Sequence, residues 1–262
     1  MPSENSVRAR LNRGETVLGG WIQAPHPAVA AVMASSGFDW LAMDLEHGVI
    51  GLPECAALVP VIEAQGCEAF VRLPGNAYAD NKRYLDAGAR GVIAPLVNTR
   101  QDAEALVGSA KYPPQGSRGV GYAVSNLYGF EMDRAGEAND EILVCVQIEH
   151  KTAIANIGSI LSVPGVDAAF IGPYDLSASL GVTAQFEHPD YVNALDRFRG
   201  ACREHGVAAG IHVVAPDPEE VLRRVDEGYR MVAYSLDVTM LGQACRKGCA
   251  AICEGLAVRG MR

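Results

Sequence analysis

Residues 141–181, EILVCVQIEHKTAIANIGSILSVPGVDAAFIGPYDLSASLG, decide the fold. Two apolar runs inside this stretch, Ile142–Ile148 and Val166–Ile171, have the length and β-branched content of buried strands. Each run breaks into an acid, Glu149 directly and Asp175 after the turn Gly172-Pro173-Tyr174. The two strand ends lie about two dozen residues apart, the length of one βαβ unit, so the strands are expected to be parallel neighbours. Two carboxylates then stand side by side on one rim of a sheet. Such a pair, with no cysteine ligand nearby, suits a hard divalent cation such as Mg²⁺ or Mn²⁺. Each acid taken alone also fits as an N-cap of the helix that follows.

Outward from this stretch the same sentence repeats: a helical segment, a glycine, then a short apolar run. It reads ASSGFDWLAMD, EAQGCEAFVRL, DAGARGVIAPL, VPGVDAAFIG, REHGVAAGIHV and DEGYRMVAYS. Gly37, Gly66, Gly88, Gly165, Gly206 and Gly228 fall where a helix needs a left-handed residue before the next strand. With TVLGGWI and ILVCVQI added, the strands are expected near 16–22, 38–45, 67–73, 91–96, 142–149, 166–172, 207–213 and 229–235. Helices are expected near 27–36, 53–65, 78–88, 99–110, 150–162, 189–205, 217–227 and 238–257. Eight strand–helix alternations across 262 residues match a (β/α)₈ TIM barrel in a single domain, 1–262. A doubly wound open sheet is the competitor, but the first strand is followed by no glycine fingerprint for phosphate. The longest irregular stretch, 111–140, is expected either over the site or in a subunit contact.

Composition narrows the function. A formal net charge of -9 argues against nucleic acid as a partner. No apolar run is long enough to span a bilayer, and the polar start MPSENSVRARLNRGE lacks a signal-peptide core, so a cytoplasmic protein is expected. Seven cysteines with no C-x-x-C pair indicate neither a disulfide framework nor a zinc site. Cys245, Cys249 and Cys253 share one face of the last helix, which reads as a packed surface.

In a barrel the chemistry belongs at the C-terminal ends of the strands. Those ends carry Asp44-Leu45-Glu46-His47-Gly48, then Arg72, then Gln147 and Glu149, then Gly172-Pro173-Tyr174-Asp175, and finally His212. Glu149 and Asp175 can hold a metal that polarises a substrate carbonyl. Arg72 can share the charge that builds as an enolate forms, or else serve as the salt-bridge partner of a rim acid. His47 can move a proton, since an imidazole titrates near neutrality. Gln147, on the same strand face as Glu149, can orient substrate, and backbone N–H groups at Gly172–Asp175 can cradle a carboxylate. Together these residues describe an enzyme that forms the enolate of a 2-oxo acid.

The same motifs resemble the HpcH/HpaI aldolases, the class II pyruvate-dependent family. The likeness runs from GFDWLAMDLEHG through VRLPGN, LDAGARGVIAPLV, YPPQGSRGVG and QIEHKTAIANI to FIGPYDLSASLG. It implies a barrel that exchanges its last helix with a neighbour in a hexameric homo-oligomer. It implies Mg²⁺, Mn²⁺ or a similar ion such as Co²⁺ at Glu149 and Asp175, with pyruvate or hydroxypyruvate and an aldehyde as substrates. By the same likeness His47 is the base, Arg72 stabilises the enolate, Gln147 binds substrate, and the backbone at Gly172 and Tyr174 holds the carboxylate. Asp86, in LDAGA, matches the acid that supports the histidine. Its place late in a helix puts it at the opposite barrel end, so it reaches His47 only through unusual local geometry or from another subunit; Asp44 competes for that role. Tyr174 and the sequence GIHVVAP at the strand 7 end depart from the family pattern, which leaves the aldehyde open, and His26 reads as a turn residue. Rival readings are an oxaloacetate decarboxylase, a citrate-forming synthase, a CoA-ester lyase, an imine-forming aldolase through Lys151, and a non-catalytic binding protein.

Overall fold

The computed structural model describes residues 4–261. Eight parallel strands close in chain order into one barrel. They are β1 (Val17–Ile22), β2 (Trp40–Asp44), β3 (Glu68–Arg72), β4 (Gly91–Ala94), β5 (Leu143–Ile148), β6 (Ala168–Ile171), β7 (Ala208–Val213) and β8 (Met231–Leu236). The strands agree with the sequence reading to within about two residues at each end, the ordinary uncertainty of element boundaries. All six expected glycines have positive φ, from 67° at Gly206 to 102° at Gly88. These glycines are the hinges where each helix turns back into the barrel.

Strands covered by helices outside and by each other's side chains inside are apolar on both faces, which is why the runs are continuous rather than alternating. The lumen is filled by large rings. Trp40 stacks on Phe70 with centroids 5.6 Å apart, and Trp21 meets Phe170 edge-on at 5.7 Å. Gly19 makes room for this packing, since a Cβ there would lie 2.0 Å from the Trp40 ring. A short helix, Val7–Asn12, joins the lumen cluster through Val7 and Leu11. The sequence reading left this segment without structure, because one apolar pair four residues apart is too short a pattern to show a helical period.

Two other regions differ in detail from expectation. The stretch 111–140 holds a short helix, Ala135–Glu141, and is tied down at its start. The buried Lys111 ammonium donates to the carbonyls of Asn139 (2.6 Å) and Ile142 (2.5 Å), and Arg118 pairs with Asp86 at 2.7 Å. Asp86 ends the helix Tyr78–Asp86, which runs antiparallel to the strands, so this anchor sits at the end of the barrel opposite the strand C-termini.

The last helix, Asp237–Val258, leaves the barrel: Asp237 is its one buried residue, while Leu241 is 65% and Ile252 63% exposed. Cys245 and Cys249 are exposed as well. The packed cysteine face is therefore not formed within this chain, because the helix that carries it has no barrel beneath it. Beside the helix root lies an apolar groove of about 700 Å³, walled by Val29, Met33, Phe38, Tyr234 and Leu241.

Candidate active site

The C-terminal ends of the strands surround a cavity of about 340 Å³ lined by His47, Arg72, Gln147, Gly172, Tyr174 and Asp175, with Trp21 and His212 in its wall. The register of the sheet sets its first feature. Asp44 and Arg72 are paired residues on β2 and β3, so their side chains meet at the rim. The Arg72 guanidinium donates to both Asp44 oxygens, Nε to Oδ1 at 2.9 Å and Nη2 to Oδ2 at 2.6 Å. Gln23, just beyond β1, adds a bond to Oδ2 at 2.8 Å. Burial alone would push the Asp44 carboxyl up; the hydrogen bonds and charge of Arg72 outweigh it and hold the pKa below the usual value. The other side of the guanidinium lies over the Trp21 ring, 4.5 Å from its centroid.

Asp44 also folds the loop that follows. Its Oδ1 accepts from the backbone N–H of Glu46 (3.2 Å) and of His47 (3.1 Å). The His47 imidazole is exposed, with Nε2 3.8 Å from the Glu46 carboxylate. Asp44 is thus the partner of Arg72 and of the His47 backbone, not of the His47 ring. Asp86 is engaged elsewhere in this chain, by Arg118 and, at 3.6 Å, by Lys82.

On the facing side, Glu149 is held by two donors. Gln147 Nε2 donates to Oε2, and the Leu96 backbone N–H donates to Oε1 at 2.6 Å. Leu96 has φ 53°, a left-handed backbone that costs a non-glycine residue about 1 kcal/mol or more. Gln147 therefore orients Glu149 here, while its own Oε1 has no hydrogen-bond partner. Gly172 is required for this approach, since a Cβ would sit 2.9 Å from Glu149 Oε2. Pro173, which has no N–H, begins the helix Pro173–Ser179, so the first-turn donors are those of Tyr174 and Asp175. The Tyr174 ring, half exposed, packs edge-on against Phe186 at 5.3 Å.

The carboxylates are out of balance. Burial pushes the Glu149 pKa up, and the nearby Asp175 charge adds to it against the two hydrogen bonds. Burial and the Glu149 charge push Glu46 up in the same direction. Glu46 Oε2 is shut off from solvent with no hydrogen-bond partner. Among the described residues no three His, Cys, Asp or Glu side chains form a metal cage by themselves. A pair of carboxylates completed by substrate and water oxygens is nevertheless how Mg²⁺ is commonly held. Glu149 and Asp175 fit such an ion, while the Glu46 oxygen, though without a hydrogen bond, already lies 3.6 Å from Arg72 Nε and 3.8 Å from His47 Nε2.

Three contributors escaped the sequence reading, Trp21, Gln23 and the Leu96 N–H, and Glu46 was placed at its strand end without a role. The rule that pointed to Arg72 would have found Gln23 too, since it follows β1 directly. The Leu96 N–H left no signal, because its role depends on a backbone conformation. His26 caps the helix Pro27–Ala34 through Nδ1, 3.1 Å from the Ala28 N–H.

The chain's likeness to known proteins extends over nearly its whole length. Residues 18–244 match the HpcH/HpaI aldolase/citrate lyase family. A hydroxypyruvate/pyruvate aldolase of Roseobacter denitrificans is 36% identical over 90% of this chain and 93% of its own. A 4-hydroxy-2-oxovalerate aldolase of Novosphingobium aromaticivorans is 35% identical over 98% and 97%. Among solved structures, an HpcH/HpaI aldolase/citrate lyase family protein from Burkholderia cenocepacia superposes with a TM-score of 0.90 at 34% identity, covering 95% of this chain and 99% of that one. The chain belongs to the HpcH/HpaI aldolase/citrate lyase family.

Proposed function

We propose that this chain is a cytoplasmic, divalent-metal-assisted aldolase that reversibly cleaves a 4-hydroxy-2-oxo acid into an aldehyde and pyruvate or hydroxypyruvate. The observation that carries the reading is a cavity whose wall brings an anchored guanidinium, Arg72, together with the exposed His47 imidazole and the Asp175 carboxylate, with Glu149, which burial pushes toward protonation, packed against Gly172 of the same wall. A divalent ion at Glu149 and Asp175, Mg²⁺ or Mn²⁺, would supply a Lewis acid for the 2-oxo group. Arg72 stands ready to share the negative charge that reaches the 2-oxo oxygen when the bond between C3 and C4 breaks. Its two bonds to Asp44 and its seat over Trp21 fix that position before substrate arrives. His47 takes the proton of the C4 hydroxyl, directly or through a water, and its exposure suits exchange of that proton with solvent. C3 then takes up a proton to give the free 2-oxo acid. Gln147, with an unused amide oxygen, aligns Glu149 and the substrate together. The first-turn N–H of Tyr174 and the backbone N–H of Gly172, which makes only a long 3.4 Å bond to the Ile148 carbonyl, receive the substrate carboxylate.

The proposal extends to the assembly. A homo-oligomer, hexameric by family likeness, would seat the last helix of one copy in the apolar groove of the next. The exposed Leu241 and Ile252 and the groove beside the helix root support this exchange. Asp86 lies at the opposite barrel end from His47 in its own chain, so a supporting role toward that ring requires a neighbouring copy. The exposed Tyr122, Tyr128 and Phe130 favour a subunit contact over a lid for the stretch 111–140.

The direct test is proton exchange. Metal-stripped protein is incubated with pyruvate in D₂O, and the methyl signal is followed by NMR before and after Mg²⁺ or Mn²⁺ is added. Loss of the signal only with metal is expected. Exchange that persists without metal would point to an imine at Lys151, and no exchange in either state would remove the aldolase reading.

A further inference from the structure

His212 lies in the wall of the cavity, and the proposed reaction makes no use of it. It is the penultimate residue of β7, beside Trp21, with ring centroids 5.7 Å apart. Its Nε2 is shut off from bulk solvent and has no hydrogen-bond partner in the protein. A buried polar atom left unpaired is costly, and native structures keep few of them without a use.

The ring is held deliberately. The pairing of β1 with β8 slips between Gly19 and Trp21, so that β8 bulges around Tyr234 and Ser235. Ser235 carries φ 54° and donates its hydroxyl to the Val214 carbonyl at 2.8 Å. From this bulge the Ser235 backbone hydrogen-bonds the imidazole in the sense that favours a protonated ring nitrogen, as a carbonyl accepting N–H does. Burial and the nearby Arg72 charge work the other way and drive the ring's pKa down to about 3, so it is neutral at any working pH. A neutral imidazole that donates through one nitrogen has a bare lone pair on the other. Nε2 is that acceptor, and it calls for a ligand that brings a donor to a wall shared with Phe170, Leu236 and Trp21, whose own Nε1–H likewise has no partner in the protein.

We propose that His212 is a specificity-determining residue whose Nε2 accepts a hydrogen bond from a hydroxyl group on the substrate. The inference rests on the aldolase reading and deepens it. The hydroxyl has two chemical sources, C3 of the 2-oxo acid (hydroxypyruvate rather than pyruvate) or the carbon next to the aldehyde group (a 2-hydroxyaldehyde).

The test compares substrate pairs that differ by that hydroxyl. With Mg²⁺-loaded enzyme in D₂O and no aldehyde, C3 proton exchange is measured for hydroxypyruvate and for pyruvate. Condensation of pyruvate is then measured with glycolaldehyde and with propanal. In His212→Leu the hydroxyl-to-deoxy ratio of kcat/KM should fall about tenfold or more for one pair, the loss of a buried hydrogen bond, and the pair that moves names the source. His212→Gln, whose amide oxygen extends to a similar place, should keep most of the ratio. Where His212→Leu does not fold, His212→Phe replaces it, keeping the ring against Trp21 and removing both nitrogens. If both ratios stay within about twofold of wild type in a folded, active variant lacking the nitrogens, the proposal is overturned. If wild-type enzyme exchanges neither 2-oxo acid, the aldolase reading itself falls.

Discussion

Asp44→Asn is the sharpest probe of how the site is built. The wild-type carboxylate is fully buried and accepts five donors: two from Arg72, one from Gln23, and the backbone N–H groups of Glu46 and His47. An asparagine can set its oxygen at the Oδ1 position and keep Arg72 Nε and both backbone bonds. Its NH₂ then occupies the Oδ2 position, where Arg72 Nη2 and Gln23 Nε2 both donate, so three donors face one another. The guanidinium also loses its nearest countercharge, although Glu46 remains at 3.6 Å. Breaking a buried ion pair from one side costs about 3–5 kcal/mol, and the bonds that survive place this case near 3. For a chain of this size that lowers the melting temperature by about 6–12 °C. Catalysis should suffer more, because Arg72 turns toward Glu46: pyruvate proton exchange falls about 100-fold, the usual loss when one charge-stabilising donor is misplaced. Differential scanning calorimetry and the D₂O exchange assay measure the two effects on one preparation. A melting temperature within about 2 °C of wild type, with exchange within about threefold, would refute the view that Asp44 sets the position of Arg72.

Arg72→Ala should abolish exchange while titration calorimetry still detects metal, whereas Asp175→Ala should lose both. Gly19→Ala forces a methyl to within 2.0 Å of the Trp40 ring, and overpacking of this kind should destabilise the fold by about 3 kcal/mol or prevent folding, as thermal melts will read. Leu241→Glu puts a charge into the apolar groove and should shift the protein to smaller species in sedimentation velocity, with secondary structure retained. Stability should also depend on pH through Glu46 and Glu149, whose folded pKa values lie above their unfolded ones. The folded chain then holds more protons than the unfolded one across that window, so stability falls as pH rises through it. Melting temperatures between about pH 4 and pH 8 should show this fall without metal, a flatter curve for Glu149→Gln, and recovery with Mg²⁺.

The barrel was legible because its grammar is local. A strand buried on both faces must be a continuous apolar run, and a helix that turns straight back into it ends on glycine; both facts sit within ten or so residues of sequence. The helix Val7–Asn12 was not legible, because Val7 and Leu11 gain their meaning from a lumen built by residues far along the chain. The rim residues were legible one by one, through the rule that strand ends carry chemistry. Which rim acid takes Arg72 was not. Asp44 lies next to His47 in sequence, but the β2–β3 register sets it against Arg72, and register is a lateral property that one strand does not declare. Leu96 shows the same limit in another form: its N–H reaches Glu149 only because a left-handed backbone aims it there.

These pairings determine the charge the cavity presents. Arg72, the guanidinium in the cavity wall, is already matched by Asp44, and its bond to that buried carboxylate is stronger than any it makes across the opening. Beside Asp175, Glu149 keeps one amide and one backbone donor, while Glu46 Oε2 has no hydrogen bond and only longer contacts to Arg72 and His47, and burial pushes both Glu46 and Glu149 toward protonation. A 2-oxo acid brings a further negative charge. In this field it would meet repulsion before it met the guanidinium, since the attraction of an ion pair already formed falls off faster with distance than that of a bare charge. On the proposed reading a divalent ion at Glu149 and Asp175 would offset these charges, leaving Arg72, held in place by Asp44, to meet the substrate oxygen. The proposed reading therefore expects metal to bind before the 2-oxo acid, because without it the side chains of the site carry too little positive charge to hold that substrate.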